Sequence, residues 1–577
     1  MTLWKSPHPD LDNIDARNLL VPTNVTTWEW LFESEEYVPF RKASSAAIGA
    51  YYNAVTRERL DFGQVKSKAT TLSTVLVEEY GLHADETVSI FSTNTVWYAV
   101  ALWATIRVGG RINGASPAYN VEEMTHALKT ADTKILVTLP GSIEAAVTAA
   151  KNAGVPRSHI LLLEGEVPGF KSIQDLIQRG QSLPVTEVYH IPRGKTNKDI
   201  CGYLNFSSGT TGSPKAVMLS HHNIIAQCLQ LRQLQLLPAD GQYRTIAVMP
   251  LFHITGLVRF ITYPVFTNGE CYMLPQFKME AMLETIINHR IEELIFVPPI
   301  LIRMVRDPVV DRYLPQLRRI VKRFSSGSAP MSPEIIRLLE AKFPGTGFRQ
   351  GYGATESTAC ISSHPPTHFA YRYAHTGGKL VANTVAKVID LSDASKMLDP
   401  GETGEICARG PQIAMGYLGN PEATAESFDE EGFLHTGDVG HIDGEGLLHI
   451  EDRIKEMIKV KGIQVPPAEL EDLLLGHELV EDCAVLGIRD EYAGERPKAY
   501  VVVKGAQTPT DALGRTLLRY VRERKVRYKW LAEVEFAESI PKGPTGKLLR
   551  RLLKASDKKA DRKKGLCVRD DIDKAKL

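Results

Sequence analysis

The densest run of chemically capable residues is Ser207-Ser208-Gly209-Thr210-Thr211-Gly212-Ser213-Pro214-Lys215-Ala216-Val217. Its glycines let backbone N–H groups come close to a ligand, and successive N–H groups in a turn form a concavity that attracts phosphate oxygens. The hydroxyls of Ser207, Ser208, Thr210 and Thr211 add donors, and Lys215 adds a full positive charge. Clusters of Gly, Ser, Thr and Pro are usually plain loops; a lysine closing a hydroxyl-rich one points instead to phosphate. The run is not the P-loop of kinases and ATPases, which sets lysine directly after the second glycine. Here Ser213-Pro214 separates Gly212 from Lys215.

Other stretches carry groups of the same kind. Gln350-Gly351-Tyr352-Gly353-Ala354-Thr355-Glu356-Ser357 offers glycines for a tight turn against a ligand, a flat tyrosine face for a base and a threonine donor. Its Glu356 is a hard oxygen ligand suited to Mg²⁺. His435-Thr436-Gly437-Asp438-Val439-Gly440 places one acid in what reads as a turn, where a carboxylate can accept from both hydroxyls of a ribose. Pro250-Leu251-Phe252-His253-Ile254-Thr255-Gly256 holds a lone histidine among apolar residues, ordinarily a satisfied core histidine. Adjacent His221 and His222 do not share a helix face, so they read as hydrogen bonding at a helix start rather than a metal pair. Ser325 to Pro330, containing Gly327 and Ala329, is a second small-residue loop. It leads into Ser332-Pro333-Glu334, an N-cap with proline at N1. Arg453, Lys455, Lys459 and Lys461 crowd the stretch before Gly462, a density that usually marks a solvated face. Pro541 to Lys547 is a loop with a lysine at its tip.

The elements that must position these groups alternate between strand and helix. Phe62 to Tyr80 has helical spacing, Val88–Phe91 reads as a strand, Asn94 to Val108 as an apolar helix, and Ile135–Val137 and Ile160–Leu163 as strands. This pattern predicts an α/β layered domain with mostly parallel sheets. From Thr403 the chain turns all-β, a possible small barrel. After Pro466-Pro467 it changes to a compact α+β module of plausible small-domain size. At 577 residues the chain is too long for one core. Lys+Arg and Asp+Glu both total 68, so charge gives no reason to expect a nucleic acid partner. The seven cysteines form no Cys-x-x-Cys pair, which argues against zinc and redox motifs and suits a reducing compartment. No apolar run is long enough for a transmembrane helix, and the first residues lack a secretory signal's apolar core. The last three, Ala575-Lys576-Leu577, are a conservative variant of the S-K-L peroxisomal address, behind a basic tail. They predict a peroxisomal import receptor as partner.

The motifs SSGTTGSPKAV, PLFHITGL, QGYGATES, HTGDVG, DRIKEMIKVKGIQVPPAELE and PKGPTGK occur in the order and at the intervals of the adenylate-forming superfamily, and together they span nearly the whole chain. By these motifs the chain resembles coumarate–CoA ligases and fungal-type peroxisomal acyl-CoA ligases. The resemblance implies a large N-terminal domain over residues 1–452 and a mobile C-terminal cap over 453–577, with Lys455 as hinge. It implies that Ser207, Ser208, Gly209, Thr210, Thr211, Gly212 and Lys215 hold the ATP phosphates. Gln350, Gly351, Tyr352, Gly353, Ala354 and Thr355 would line adenine and the α-phosphate, Glu356 would bind Mg²⁺, and Asp438 and Arg453 would grip the ribose. Lys547 matches the adenylation lysine; Lys459, Lys461 and Gly462 match the cap face that serves thioester formation with coenzyme A. His253, Thr255, Arg259, Gly327 and Ala329, with Gln350 and Gly351, would border the acyl group, and Thr211 would join Lys547, Lys459 and His253 in catalysis.

The chemistry explains such a set. A carboxylate must attack the α-phosphate of ATP, and two like unit charges 4 Å apart repel by about 4 kcal/mol at an effective dielectric of 20. Lys547 and Mg²⁺ would offset this where charge accumulates. Departures concern the acid. Thr255 stands where coumarate–CoA ligases carry tyrosine, Arg259 where a small polar residue is expected, and Gln276 where a CoA-contacting cation is common. The rival readings are an enzyme that adenylates an amino acid for a carrier thiol, luciferase-like oxidation of an acyl-adenylate, and a catalytically silent nucleotide binder. No carrier-like serine segment follows the cap, and Lys215, Glu356 and Lys547 are all present. The division of labour predicts that Lys547→Ala abolishes acyl-adenylate formation yet still passes a supplied acyl-adenylate to CoA. Equal loss in both half-reaction assays would contradict it.

Overall fold

A computed structural model of the protein describes residues 3–6, 19–37, 48–207, 214–461, 463–490, 492–505, 507–543, 547–557 and 565–570. The strand–helix alternation of the first 200 residues builds a seven-stranded sheet in the order Gly416–Tyr417, Lys215–Ser220, Cys201–Ser207, Arg111–Ala115, Thr87–Phe91, Thr133–Thr138, Ile160–Leu162. From Cys201–Ser207 to Ile160–Leu162 its pairs are parallel. All residues of the Thr87–Phe91 strand are buried, as expected of a strand covered by helices on both faces. The flanking helix Phe62–Glu78 is closed by a reciprocal cap between Asp61 and Gln64, and Val96–Arg107 starts on the Thr95 hydroxyl.

A second sheet runs Glu293–Phe296, Arg323–Ser326, Gly347–Tyr352, Ser362–Ser363, Lys379–Leu380, the first three strands parallel. The Pro333–Lys342 helix beside it is capped by Ser332, as its sequence predicts. One buried ion pair clamps these strands. Arg349, 2% exposed, pairs its Nη2 with Oε1 of Glu293, 5% exposed. Ser325 Oγ donates to the same carboxylate at 2.6 Å, and Arg349 Nη1 donates to the Leu234 carbonyl at 3.1 Å. The Arg349 and Arg323 guanidiniums overcome burial and hold the Glu293 carboxyl down to about 2.

The all-β stretch is an open five-stranded antiparallel sheet, Trp4–Lys5, Val385–Ile389, Gly404–Arg409, Leu434–Ile442, Leu448–Arg453. It begins before Thr403 and recruits a strand from the start of the chain. Asp438 therefore lies inside a strand, not in a turn. The Gly437 φ of +68° and a register shift between Val439 and Gly440 supply the irregularity that glycine-rich spacing suggested. His221 and His222 open the His221–Leu234 helix, but the reciprocal cap is made by Ser220 and Asn223. The histidines are buried instead: the Thr27 N–H donates to His221 Nδ1, and His222 Nδ1 bonds Asn197.

Residues from 458 onward have a core of their own, including Val465, Leu470, Val485, Val501, Leu517 and Phe536. The Pro467–Leu475 helix packs there against the antiparallel strands Val480–Asp490 and Gly494–Val503. Among the described residues no helix is long and apolar enough to cross a membrane.

Removing one partner of a buried ion pair costs about 3–5 kcal/mol, so Glu293→Gln should lower the urea unfolding midpoint clearly at neutral pH. The depressed carboxyl stabilises the fold above its ordinary value of 4.5, and this contribution fades as pH falls toward about 2. The gap between wild type and variant should therefore narrow below pH 4.5; a gap independent of pH would refute the assignment.

Candidate active site

Cys201–Ser207 and Lys215–Ser220 pair antiparallel with Ser207 opposite Lys215, so the glycine- and hydroxyl-rich run connects adjacent strands at one end of the seven-stranded sheet. Ser208, Gly209, Thr210, Thr211 and Gly212 lie outside the described residues, as do Gly462 and Ala575 to Leu577. The flanks of the run are fixed. His126 Nε2 donates to the Pro214 carbonyl at 3.2 Å, and Asn205 Nδ2 donates to the Phe252 carbonyl at 3.0 Å. The latter bond joins this hairpin to the segment carrying His253. Lys215 Nζ sits 4.7 Å from the centre of the Tyr417 ring, and the Tyr417 hydroxyl donates to Glu356 Oε1 at 2.9 Å. Nothing in the sequence marks Tyr417. It reaches the site because the short Gly416–Tyr417 strand pairs with Met218 and Val217.

Glu356 occupies a single 3₁₀ turn, Thr355–Ser357, immediately beyond the Gly347–Tyr352 strand. The backbone is tight here: a Cβ on Gly353 would come within 2.3 Å of the Ala359 carbonyl oxygen. Thr358 and Ala359 have φ of +53° and +98°, conformations that cost about 1–3 kcal/mol each outside glycine. Offsetting bonds run from Ala354 N–H to Ser357 Oγ at 2.9 Å, from Thr358 Oγ1 to the Gln412 carbonyl at 2.6 Å, and from Cys360 N–H to Gln227 Oε1 at 2.8 Å. The turn thus fixes a carboxylate, the hard donor that Mg²⁺ accepts, against the Tyr417 hydroxyl whose ring faces Lys215. Thr355 is buried beneath it. The Gln350 side chain donates to the Ala374 carbonyl at 2.5 Å and its N–H to His364 Nδ1 at 3.0 Å, bonds that secure the end of the strand. A Cβ on Gly327 would lie 3.3 Å from the Gly351 carbonyl oxygen, so the small-residue segment touches the end of the Gly347–Tyr352 strand; Ala329 is exposed.

The Tyr352 hydroxyl donates to Asp438 Oδ2 at 2.8 Å, and Arg453 Nε pairs with Asp438 Oδ1 at 3.0 Å. Asp438 and Arg453 face each other across adjacent strands. Burial raises the Asp438 carboxyl, while Arg453 and Tyr352 oppose that rise. The same place receives Lys547, nearly a hundred residues further on. Burial, then the neighbouring Arg453 cation, pull its amine down to about 8, against the pull of Glu456, Asp438 and Glu356. Its charge also reaches His253, which burial and Lys547 lower to about 4. His253 is thus neutral near pH 7, and its Nδ1 accepts the Thr255 N–H at 3.3 Å, which leaves the proton on Nε2. The structure therefore brings Glu356, Asp438, Arg453, Lys547 and His253 into one electrostatic group.

The Lys547 loop is anchored by Gly543 N–H on the Lys547 carbonyl at 2.8 Å. Arg550, three residues on, pairs with Glu456 and, at 2.6 Å, with Glu471. Lys455 is exposed in the turn after Arg453. Lys459 and Lys461 are not members of the group around Asp438. Both are exposed, Lys459 with its N–H on Glu495 and Lys461 with Nζ 4.2 Å from the Tyr492 ring centre.

Residues 41–418 match the family model of the AMP-binding enzyme, and residues 469–547 match the AMP-binding enzyme C-terminal domain. The chain belongs to this family. It is 33% identical to 4-coumarate–CoA ligase-like 1 of Arabidopsis thaliana over 509 residues, 88% of this chain and 90% of that one. It is 32% identical to the peroxisomal OPC-8:0-CoA ligase 1 of the same plant, over 87% of this chain and 89% of that one. Among solved structures, ATP-bound MatB from Rhodopseudomonas palustris matches with a TM-score of 0.79 at 25% identity, covering 93% of this chain and 99% of that one. The adenylate-forming resemblance drawn from the motifs is thereby established for this chain.

The Lys547 amine offers a direct check on this arrangement. Lowered to about 8, it loses its charge in the free enzyme as pH rises through that value. The kcat/KM for pyrophosphate release should fall on the alkaline side with a midpoint near 8. In Lys547→Arg, whose guanidinium stays charged, the fall should move to higher pH even if the rate is lower. An unchanged alkaline limb would separate Lys547 from the titration.

Proposed function

We propose that this chain is an ATP- and Mg²⁺-dependent acid–CoA ligase acting on an aryl, medium-chain or specialised acid. The observation that carries this reading is the placement of Lys547 beside Asp438, Arg453, Glu356 and His253. A cation from the C-terminal part is thus coupled to the acidic groups carried by the larger part.

In the first half-reaction, an oxygen of the acid attacks the α-phosphorus of ATP. The bond from phosphorus to the bridging oxygen breaks, and pyrophosphate leaves with the electron pair. Lys215 and the Ser207–Gly212 hydroxyls and N–H groups cradle the departing phosphates, and Lys547 meets the charge that builds at the reacting centre. Gly351, Tyr352, Gly353, Ala354 and Thr355 form the wall against the base and α-phosphate, while Asp438 accepts from the ribose hydroxyls under the control of Arg453. Glu356, steadied by Tyr417, would hold Mg²⁺, which supplies neutralisation of phosphate charge. In the second half-reaction, the CoA sulfur attacks the activated carbonyl, the thiol proton is lost, and AMP departs. The cap comprises residues 453–577 and rotates at Lys455, withdrawing Lys547 and presenting Lys459, Lys461 and Gly462. His253, Thr255, Arg259, Gly327 and Ala329 border the acyl group.

Two relatives named as CoA ligases at 32–33% identity favour CoA over a carrier protein or oxygen as the second reactant. The name of the peroxisomal relative and the Ala575-Lys576-Leu577 address together support peroxisomal import through the receptor for S-K-L-type termini.

Pyrophosphate release measured over a panel of aryl and medium-chain acids should depend on the acid, and the matching acyl-CoA should appear only when CoA is supplied. Turnover without CoA would favour the carrier-thiol or oxidative alternatives; no release with any acid would remove the ligase reading.

A further inference from the structure

Lys215 and Glu356 carry opposite charges and meet the same tyrosine at different ends. Lys215 Nζ lies over the Tyr417 ring, 4.7 Å from its centre, and the Tyr417 hydroxyl donates to Glu356 Oε1 at 2.9 Å. Both contacts are attractive: a cation is drawn to the face of an aromatic ring, and an ionised carboxylate accepts a hydroxyl hydrogen. Lys215 and Glu356 are half-buried, and Tyr417 is 7% exposed. Among the described residues neither charge has an ion-pair partner.

The backbone around Tyr417 sets this spacing. The Ala414 N–H donates to the Glu356 carbonyl at 2.8 Å, and the Leu418 N–H donates to the Ala216 carbonyl at 2.9 Å. The segment is therefore a clip between the turn that carries Glu356 and the strand that starts at Lys215. Gly416 makes the clip possible: its φ is +131°, and an added Cβ would come within 2.6 Å of the Thr424 side chain. The Tyr417 N–H donates to Thr424 Oγ1 at 3.0 Å, and the Phe428 ring meets the Tyr417 ring at 62°, centres 6.0 Å apart. These contacts hold the ring in place and involve neither charge.

An ammonium and a carboxylate on segments tied this closely would ordinarily pair directly. Such a pair would cancel the charge that each offers to a triphosphate and its metal ion, and ATP would have to break it before binding. The tyrosine between them gives each group a favourable contact with a neutral partner. The lysine stays a full cation and the glutamate a full anion.

We propose that Tyr417 is a positioning residue that holds Lys215 and Glu356 apart, so that both charges remain available to the nucleotide. The proposal rests on the reading of these two residues as ATP ligands. It adds to that reading a reason for the tyrosine to stand between them.

Nucleotide binding tests this separately from turnover. ATP is titrated calorimetrically into each protein in EDTA, so that Lys215 is probed with no metal ion on Glu356. Tyr417→Leu should weaken ATP binding by roughly 3- to 10-fold, the range between exposed and partly buried ion pairs, because Lys215 is then free to pair with Glu356. Tyr417→Phe keeps the ring between the charges and should stay within about 2-fold of wild type. Glu356→Gln should raise the affinity of the Leu variant several-fold more than it raises that of wild type, a rescue not expected of a residue that only packs. Wild-type affinity in Tyr417→Leu, or a loss that Glu356→Gln does not relieve, would overturn the proposal. Should Tyr417→Leu fail to fold, Lys215→Met and Glu356→Gln in the wild-type background decide: their effects on ATP affinity should add to within about 2-fold, and stronger coupling would mean that the two charges already pair. Wild type that binds ATP but releases no pyrophosphate with any acid would mark failure of the ligase reading alone; wild type that binds no ATP would overturn both.

Discussion

The contact between Asp438 and Arg453 is the constraint around which the site is assembled. A carboxylate buried this deeply resists ionisation unless a cation shares its enclosure, and Arg453 supplies one at 3.0 Å from the facing strand. Tyr352, donating from a different sheet, fixes the remaining oxygen. Three segments that arise far apart in the chain are thus tied at one point. Arg453 also closes the strand that leads into the Lys455 turn.

Much of the architecture is readable from residue pattern. The Thr87–Phe91 strand shows as the short run Val88–Phe91 between two helical segments, and the Pro333–Lys342 helix by Ser332 followed by proline. The order of the motifs was sufficient to identify the family. What escaped the sequence depends on contacts between remote segments. Asp438 looks like a turn acid because glycines flank it; only the pairing of Leu434–Ile442 with both neighbouring strands shows that those glycines serve a bulge. Tyr417 lies in an unremarkable Gly-Tyr pair and becomes relevant only through Lys215 and Glu356. No local rule links Gln350 to Ala374, whose carbonyl its amide bonds. The Glu293–Arg349 pair lies outside any motif, and no local rule joins the two residues.

Electrostatics also distinguishes the two lysine-bearing faces of the C-terminal part. Lys547 is enclosed among charges of both signs, so its proton affinity reports its surroundings. Lys459 and Lys461 are exposed, the latter against the Tyr492 ring. An amine in water and an amine in an enclosed pocket differ in how strongly they act on a nearby anion.

Arg550 has a mechanical consequence. It grips Glu456, next to the exposed Lys455 turn, and Glu471 on the first helix of the C-terminal core, while standing three residues from Lys547. The segment after Lys547, the turn and that helix are thereby tied to one another. Through this one guanidinium, a displacement of the helix is shared by the Glu456 turn and by the start of the Arg550–Asp557 helix. The Arg306 guanidinium on the Leu475 carbonyl is a further bond at the end of the same helix.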